Sequence, residues 1–295
     1  MPTLDLTAYS GRDDYTDGPV EDDLLNLVRS GEDYETILAR DTRWPILYHL
    51  TPQRRNLLEW YPFQSAASLL EIGAGCGALT GLFLDKLKHV TAVELSRKRA
   101  AIIEARYPSA DHLHIRVGNV LAMNGEPCFD YVTLIGVLEY AGLFVADPAP
   151  ALSLLKRARE WLKPGGVLFL AIENKFGLKY FSGAGEDHSG QAFQGIEGYV
   201  GDCRAITYAR EELNSLVRAA GFRVADFYYP HPDYKLPTEL FSDLRLPDES
   251  QALAAAPNYD FERVRLFDET LAMTNVIRAG LFPTFANSFL VLAGG

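Results

Sequence analysis

Short apolar runs, separated by longer amphipathic stretches, dominate the middle of the chain. These runs are rich in Val, Ile and Leu and carry few polar residues, as in 69–72, 90–93, 129–135 and 167–172. Such strands are typical of a parallel sheet that helices cover on both faces. Apolar residues recur at helical spacing in 20–28 and in 209–222, where Gly221 marks a helix end. The pattern predicts an α/β fold.

Three closely spaced glycines follow the first of these runs. Gly73, Gly75 and Gly77 come directly after a predicted strand that carries Glu71 near its end. Glycines permit positive φ angles, and they lack the Cβ atoms that would keep a ligand away from the backbone. The segment therefore reads as a strand, a tight turn and a helix start that together fit a nucleotide-like cofactor.

The glycines alone leave two classes of cofactor open. Gly73, Gly75 and Ala78 also satisfy the G-x-G-x-x-G/A dinucleotide fingerprint, with Glu94 roughly 20 residues further on. Glu71 argues against a nicotinamide oxidoreductase, because a carboxylate at this point would repel a pyrophosphate. The same carboxylate can accept hydrogen bonds from a cationic amino-acid group. Its alternative role is to satisfy the free N–H groups of a nearby turn.

The pattern E-x-G-x-G-x-G at residues 71–77 resembles the signature of class I S-adenosylmethionine-dependent methyltransferases, and the resemblance extends over about residues 65–173. It implies a Rossmann-like doubly wound seven-stranded sheet, with N-terminal helices and a long insertion between the last two strands. It also implies S-adenosyl-L-methionine as cofactor and S-adenosyl-L-homocysteine as product. The cofactor-binding residues that follow from the resemblance are Arg54, Glu71, Gly73, Gly75, Gly77, Glu94, Leu95, Asn119, Val120 and Gly136.

Two of these residues have specific roles in the resemblance. Glu94 corresponds to the acid that grips the two ribose hydroxyls, and a carboxylate suits a vicinal diol because it accepts two hydrogen bonds. Asn119 corresponds to the residue that faces the adenine amino group. Arg54 lies in a segment where Thr51 is expected to cap a helix and Pro52 to begin it, and an arginine can make a two-pronged contact with the methionine carboxylate.

A long loop rich in Gly, aromatic and charged residues follows the fifth predicted strand, over residues 173–190. Together with 49–60 and 229–237, it resembles a bacterial subgroup of these methyltransferases that is associated with surface-polysaccharide and lipopolysaccharide gene clusters. This wider resemblance spans about residues 45–295. It implies O-methylation of a hydroxyl on a sugar or other polar small molecule.

Other functions remain open at this point. Members of the subgroup often carry glycosyltransferase, kinase or coiled-coil segments that this sequence does not show. N- or carboxyl-methylation of a small natural-product-type metabolite is therefore one alternative. A non-catalytic S-adenosylmethionine-binding regulatory protein is another, because a fold does not by itself fix a function.

Methylation of an oxygen needs a base, and His188 is the first candidate because an imidazole titrates near neutral pH. Glu186 or Asp187 beside it can orient the ring, and Glu139 after the fourth strand can accept a proton or a hydrogen bond. Asp187 and Glu139 complete the catalytic set. Packing or capping of the local backbone is the alternative role for these loop residues. The candidates for substrate binding are Tyr140, Asn174, His231 and Tyr234.

Charge and cysteine content narrow the class of protein. The net charge of −11 disfavours nucleic acid as a partner, because that binding depends on Lys and Arg at phosphates. Three cysteines without metal-ligand spacing indicate neither a disulfide framework nor a zinc site, and they favour a reducing cytoplasm. His112 and His114 share one face of a predicted strand, but no third ligand follows from the spacing. We therefore expect no metal.

The chain is expected to divide into three parts. Residues 1–64 are an N-terminal arm and helical cap, 65–229 the cofactor-binding core, and 230–295 a helical substrate-side cover plus an antiparallel last strand at 288–293. The polar residues 1–20 read as a poorly ordered arm. Neither a signal peptide nor a membrane-spanning segment is apparent, so a cytoplasmic enzyme with a small-molecule or saccharide substrate is expected. The oligomeric state is not fixed, and a homodimer stays open.

Overall fold

The computed structural model describes residues 1–125, 128–257 and 263–295. Over these residues the strands are β1 (Thr3–Ala8), β2 (Ser68–Ile72), β3 (His89–Glu94), β4 (Leu113–Gly118), β5 (Phe129–Ile135), β6 (Leu162–Glu173), β7 (Val224–His231), β8 (Glu239–Ser242) and β9 (Ser288–Gly294). The α-helices are α1 (Val20–Ser30), α2 (Tyr34–Arg40), α3 (Trp44–Leu50), α4 (Thr80–Lys86), α5 (Arg97–Arg106), α6 (Ala141–Phe144), α7 (Pro150–Glu160), α8 (Leu178–Phe181), α9 (Arg210–Ala219), α10 (Glu269–Arg278) and α11 (Phe282–Phe285). Short 3₁₀ helices occupy Pro52–Leu57, Val120–Ala122 and Leu138–Tyr140.

The chain divides into two compact units, of which the first contains Met1–Leu134 and Glu160–Val167. Five strands pair in parallel in the order β1-β4-β3-β2-β5. Strands β2, β3 and β5 are mostly apolar and buried, as expected for strands between layers of helices, whereas β1 and β4 carry polar residues such as Asp5, His114 and Arg116. Because parallel strands end at the same edge, Glu71 of β2 and Glu94 of β3 reach one edge of this sheet.

Helices α1 to α3 pack beside the turn that follows β2. Their buried residues Leu24, Ile46 and Leu50 share one apolar cluster with Ile102 of α5 and with Cys76 in the turn itself. Apolar residues at helical spacing on α1 produce this buried stripe. The N-terminal helices are thereby fixed beside the glycine segment.

The second unit contains Ile135–Arg159 and Leu168–Gly295. Strand β7 pairs antiparallel with both β8 and β9. The loop after β6 is held by Asn174, whose buried amide nitrogen donates to the carbonyls of Thr284 and Ala286 at 2.8 and 2.7 Å. Asn287 ties the segment after β7 in the same way, donating to the Pro232 carbonyl at 3.0 Å.

The α/β Rossmann-like class and the antiparallel last strand are confirmed, although nine strands lie in the described residues where seven were expected. One added strand, β1, lies where a poorly ordered arm was expected, so that expectation was wrong. Its residues alternate apolar and polar side chains and pair with β4, with Thr3 opposite His114. The other added strand, β8, belongs to the cover segment. In the described ranges, no helix combines the length and the apolar character needed to span a bilayer.

Candidate functional sites

The turn after β2 has the backbone that only glycine adopts at low cost. Gly73, Gly75 and Gly77 have φ angles of 73°, 58° and 78°. The N–H groups of Gly73 and Ala74 donate to the Val93 carbonyl at 2.9 and 3.0 Å, which fastens the turn to β3. A Cβ on Gly77 would come within 3.1 Å of the Tyr107 ring. The predicted glycine turn is therefore present as a narrow cradle.

Glu94 closes this cradle from the end of β3. Its carboxylate is 5% exposed and accepts hydrogen bonds from the Gly75 N–H at 2.8 Å and the Ser96 N–H at 3.0 Å. Burial raises its pKa, against the opposing effects of Arg99 and of the backbone N–H donors. Each carboxylate oxygen can accept a further hydrogen bond, so Glu94 can hold the turn and bind hydroxyl groups at the same time.

Glu71 is a second buried carboxylate at this edge. It accepts a hydrogen bond from the Thr80 hydroxyl at 2.6 Å. Burial raises the pKa of Glu71 to about 8, and the charge of Glu94 acts in the same direction. A carboxyl in such a site gains from a cationic ligand, because the positive charge stabilises its ionised form.

Sequence reasoning did not single out His49, which lies on α3 against the glycine turn. Its Cε1 is 3.8 Å from the position that a Cβ on Gly75 would take, and its buried Nδ1 has no hydrogen-bond partner within the described residues. Burial lowers the pKa of His49 to about 4, so the ring is neutral. His49 belongs to the segment His49-Leu50-Thr51-Pro52, and it contributed to the sequence predictions only through the resemblance to the bacterial methyltransferase subgroup.

The other predicted cofactor residues differ in their burial and in their contacts. Arg54 is buried, and its guanidinium lies 4.2 Å from the centre of the Tyr48 ring. Asn119 caps the short helix Val120–Ala122, where its Oδ1 accepts the Leu121 N–H at 3.0 Å, and Val120 of that helix is buried. Leu95 follows Glu94 directly and is half-buried. Gly136 belongs to the second unit.

The first unit fits S-adenosylmethionine on its own observations. The glycine cradle admits a ligand close to the backbone, Glu94 offers acceptors for a ribose diol, and Glu71 suits an amino-acid ammonium. The unpartnered Nδ1 of His49 is a buried polar atom that a ligand beside Gly75 can satisfy. These residues would hold the cofactor, which supplies a methyl group on a positively charged sulfur.

A second set of buried polar residues lies in the second unit, around His188. The Nδ1 of His188 is 2.7 Å from Oε1 of Glu186, and its Nε2 is 3.8 Å from Oε1 of Glu139. Glu186 also accepts the backbone N–H groups of His188 and Ser189 at 2.8 and 2.9 Å. Of the two acids expected to orient this ring, Glu186 does so.

Asp187 instead belongs to a buried ion-pair network. It lies 2.9 Å from the Lys179 ammonium and 2.7 Å from that of Lys235. Lys179 also pairs with Asp233 at 2.9 Å, and Lys235 with Glu173 at 2.5 Å. Burial opposes ionisation of Asp187, but the two lysines outweigh it and hold its pKa well below the ordinary value.

His188 and Glu139 influence each other's charge. Burial disfavours the imidazolium of His188, but the carboxylates of Glu139 and Glu186 outweigh it and hold its pKa well above the ordinary value. Burial raises the pKa of Glu139, and the neighbouring charge of Glu173 adds to the rise. The cluster therefore stores at least one proton near neutral pH.

Two of the four predicted substrate residues lie at this cluster. The Tyr140 ring meets the His188 ring edge-on at 4.9 Å, and the Tyr234 hydroxyl donates to Oε1 of Glu173 at 3.4 Å. His231, in contrast, has its Nε2 at 2.8 Å from the Ala254 carbonyl, and the Asn174 side chain is occupied by backbone groups. A Cβ on Gly136 would lie 2.8 Å from the Tyr234 hydroxyl, so this glycine keeps room for the cluster.

We predict that Glu71→Gln makes the cofactor-free protein more stable at alkaline pH. The pKa of Glu71 is raised from 4.5 to about 8 in the fold, so the folded protein retains a proton that the unfolded chain releases. The wild type therefore loses stability as the pH rises through this window and recovers none above it. The melting-temperature difference in favour of Glu71→Gln should grow from about pH 5 to about pH 8.

Glu104→Gln on the exposed face of α5 provides the control. Its melting temperature should follow that of the wild type at every pH. A pH-independent difference between Glu71→Gln and the wild type would show that the Glu71 carboxyl titrates normally.

Residues 70–168 match the model of a family described as "Methyltransferase domain". The ubiquinone biosynthesis O-methyltransferase of Paraburkholderia xenovorans (strain LB400) is 26% identical over 186 residues, which cover 61% of this chain and 75% of that protein. The protein of the same name from Xanthomonas campestris pv. campestris (strain B100) is 30% identical over 132 residues, or 44% of this chain and 52% of its own.

Among solved structures, phosphoethanolamine N-methyltransferase 2 of Haemonchus contortus, in complex with S-adenosyl-L-methionine, superposes with a TM-score of 0.50. The alignment has 16% sequence identity and covers 89% of this chain and 60% of that one. At this identity the likeness concerns the fold. The family match covers the glycine turn, Glu71 and Glu94, and with the O-methyltransferase relatives it identifies the protein as an S-adenosylmethionine-dependent methyltransferase with the class I fold.

Proposed function

We propose that this methyltransferase methylates a hydroxyl oxygen of a sugar or other polar small-molecule acceptor. The observation that carries the proposal is the buried cluster of Glu139, Glu173 and His188 in the second unit. Oε2 of Glu139 and Oε2 of Glu173 are buried and have no hydrogen-bond partner among the described residues. A hydroxyl loses its proton when it is methylated, and a carboxylate oxygen without a donor is suited to accept that O–H hydrogen bond and then the proton.

In this proposal Glu139 is the proton acceptor, and His188, which the sequence favoured as the base, is its ion-pair partner. Glu139 offers the unpartnered oxygen, while His188, clamped by Glu186, keeps the carboxylate in place from 3.8 Å. Asp187 is a positioning residue, because it holds Lys235 beside Glu173. Tyr140 and Tyr234 lie against the same cluster and are proposed acceptor contacts.

Three further observations support oxygen as the methylated atom and a small acceptor. The curated relatives are O-methyltransferases by name. The net charge of −11 disfavours nucleic acid and other polyanions. The aromatic and carboxylate side chains of the loop after β6 suit a polar hydroxyl compound, which is the basis for naming sugars first.

The test is a methyl-transfer assay with S-adenosylmethionine carrying an isotopically labelled methyl group. The acceptors are free and nucleotide-linked sugars, phenols, amines and carboxylic acids, and mass spectrometry and NMR locate the label. We expect a labelled ether on a sugar or other polar hydroxyl. A label on nitrogen or on a carboxylate would contradict the proposal.

We predict that Glu139→Gln lowers kcat on this acceptor by about 100-fold, in the range of general-base effects. The affinity for S-adenosylmethionine should not change, because Glu139 is proposed to contact the acceptor only. Glu197→Gln, at an exposed position of the same unit, is the matched control and should keep full activity. Full activity in Glu139→Gln would remove this side chain from the reaction.

A further inference from the structure

The Glu139, Glu173 and His188 side chains lie closer together than their proposed role in proton transfer requires. One candidate ligand atom from each of the three lies within 4.8 Å of the other two. We propose that these side chains bind one divalent metal ion. The inference goes beyond the proposed function and can be tested without an acceptor.

The spacing suits two ligands of one ion better than a hydrogen bond. His188 Nε2 and Glu139 Oε1 are 3.8 Å apart, which is too long for a hydrogen bond. Protein nitrogen and oxygen ligands lie about 2.0–2.2 Å from an ion such as Zn²⁺. Two ligands at that distance are themselves roughly 3–4 Å apart. An ion between these atoms therefore needs little rearrangement.

The imidazole is already oriented as a metal ligand. The Nδ1 of His188 lies 2.7 Å from Oε1 of Glu186, and this contact leaves the Nε2 facing Glu139. Metal-binding histidines commonly bond their second ring nitrogen to a carboxylate, which fixes the ring and makes it more basic. Glu186 is itself held by the N–H groups of His188 and Ser189. The orientation of the His188 ring is therefore fixed by a chain of hydrogen bonds.

One oxygen of each of the two carboxylates lacks the partner that burial normally requires. Glu139 is 2% exposed and Glu173 is 0% exposed, yet Oε2 of each has no hydrogen-bond donor within the described residues. Burying a carboxylate oxygen without a donor or a cation is costly. A metal ion bound between these residues would place a cation beside both carboxylates.

The charge around the cluster points to a divalent ion. Asp187 and Asp233 are matched by the ammonium groups of Lys179 and Lys235. Glu139 and Glu186 then face His188, and Glu173 contacts Lys235. Among the described residues, the hydroxyls of Tyr199 and Tyr234 also contact the cluster, as uncharged donors to Glu186 and Glu173. A metal-bound imidazole is neutral, so the carboxylates then carry more negative charge than the two ammonium groups balance, and a divalent ion offsets the excess.

The ligands also indicate which ions are suitable. Two carboxylates and one imidazole suit first-row divalent ions such as Mn²⁺, Fe²⁺ or Zn²⁺, whereas Ca²⁺ and Mg²⁺ prefer oxygen ligands alone. Three protein ligands leave positions for water or another oxygen.

The sequence led us to expect no metal, because the only histidine pair visible there was His112 and His114. Those two bind elsewhere, to the Leu84 carbonyl and to Thr3.

The test uses the full chain without an affinity tag, stripped with a chelator and free of S-adenosylmethionine. Calorimetry and the electron paramagnetic resonance of free Mn²⁺ measure Mn²⁺ binding, and elemental analysis after dialysis measures Zn²⁺. We expect one ion per chain and a higher melting temperature with the ion, since a ligand of the folded state stabilises it. His188→Ala and Glu173→Gln should each weaken binding at least tenfold.

His112→Ala and Glu197→Gln are the controls and should bind as the wild type does. If His188→Ala does not fold, Glu139→Gln takes its place. A folded wild type that binds no stoichiometric ion overturns the inference, as does equal binding by the wild type and the ligand variants. Neither result depends on methyl transfer, so failure of the proposed O-methylation and failure of the metal site are distinguishable.

Discussion

Glu94→Ala will bind S-adenosylmethionine and S-adenosylhomocysteine about 100-fold more weakly than the wild type. A hydrogen bond to a charged group contributes roughly 1.5–3 kcal/mol, and each 1.4 kcal/mol is about tenfold in affinity. Loss of the carboxylate that we propose to accept hydrogen bonds from the ribose diol therefore accounts for that change. The same substitution frees the N–H groups of Gly75 and Ser96, which Glu94 now binds, so the empty cradle also becomes less ordered.

Calorimetric titration with both sulfur compounds measures the effect, and NADH in parallel tests the dinucleotide alternative. Glu94→Gln separates the two contributions, because its amide oxygen can still accept one backbone N–H while the negative charge is gone; we expect an intermediate loss. Glu104→Ala, exposed on α5, removes a glutamate without touching the turn. Wild-type affinity in Glu94→Ala would place the cofactor elsewhere.

The cofactor cradle could be predicted because its parts are local in sequence. Glu71 and the glycines occupy one short segment, Glu94 ends the next strand, and parallel pairing brings strand ends to one edge without further information. His49 reaches the same cradle from a helix that precedes the sheet. Its burial against Gly75 depends on how α3 packs against the glycine turn, and no residue spacing in the sequence predicts that packing.

The acid cluster could be predicted only in part. Glu139 and His188 were candidates from their loops, but Glu173 was not, because it was predicted only as the first residue of the loop over residues 173–190. In the structure it ends β6, and its neighbours come from distant segments. Sequence adjacency also did not decide between Glu186 and Asp187. Side chains of consecutive loop residues point in different directions, so Glu186 meets the imidazole while Asp187 meets two lysines.

Strand β1, at the edge of the sheet, could not be predicted from the sequence. Thr3 pairs with His114, far away along the chain. Such a pairing has no local signature, and a short polar strand resembles a disordered arm in composition. The sheet register that fixes β1 exists only once β4 has formed.

Arg99→Ala will lower the free energy of unfolding by about 3–5 kcal/mol, the typical cost of leaving a buried charge without its partner. Arg99 is 7% exposed and lies on α5. Its guanidinium contacts Glu21 at 2.7 Å and Asp17 at 2.5 Å, and its Cζ is 4.4 Å from the centre of the Tyr15 ring. Glu21 is 1% exposed, so its carboxylate would lose its cationic partner without gaining water.

Thermal and denaturant unfolding of the cofactor-free protein measure the loss, with Arg97→Ala as the control. Arg97 belongs to the same helix but is exposed, and it should cost less than about 0.5 kcal/mol. The double variant Glu21→Gln/Arg99→Ala should recover part of the stability, because it removes the carboxylate that Arg99→Ala leaves unpaired. If both single arginine variants cost the same, the buried pair does not stabilise the fold. If the double variant is no more stable than Arg99→Ala, the loss comes from packing against Tyr15 rather than from charge.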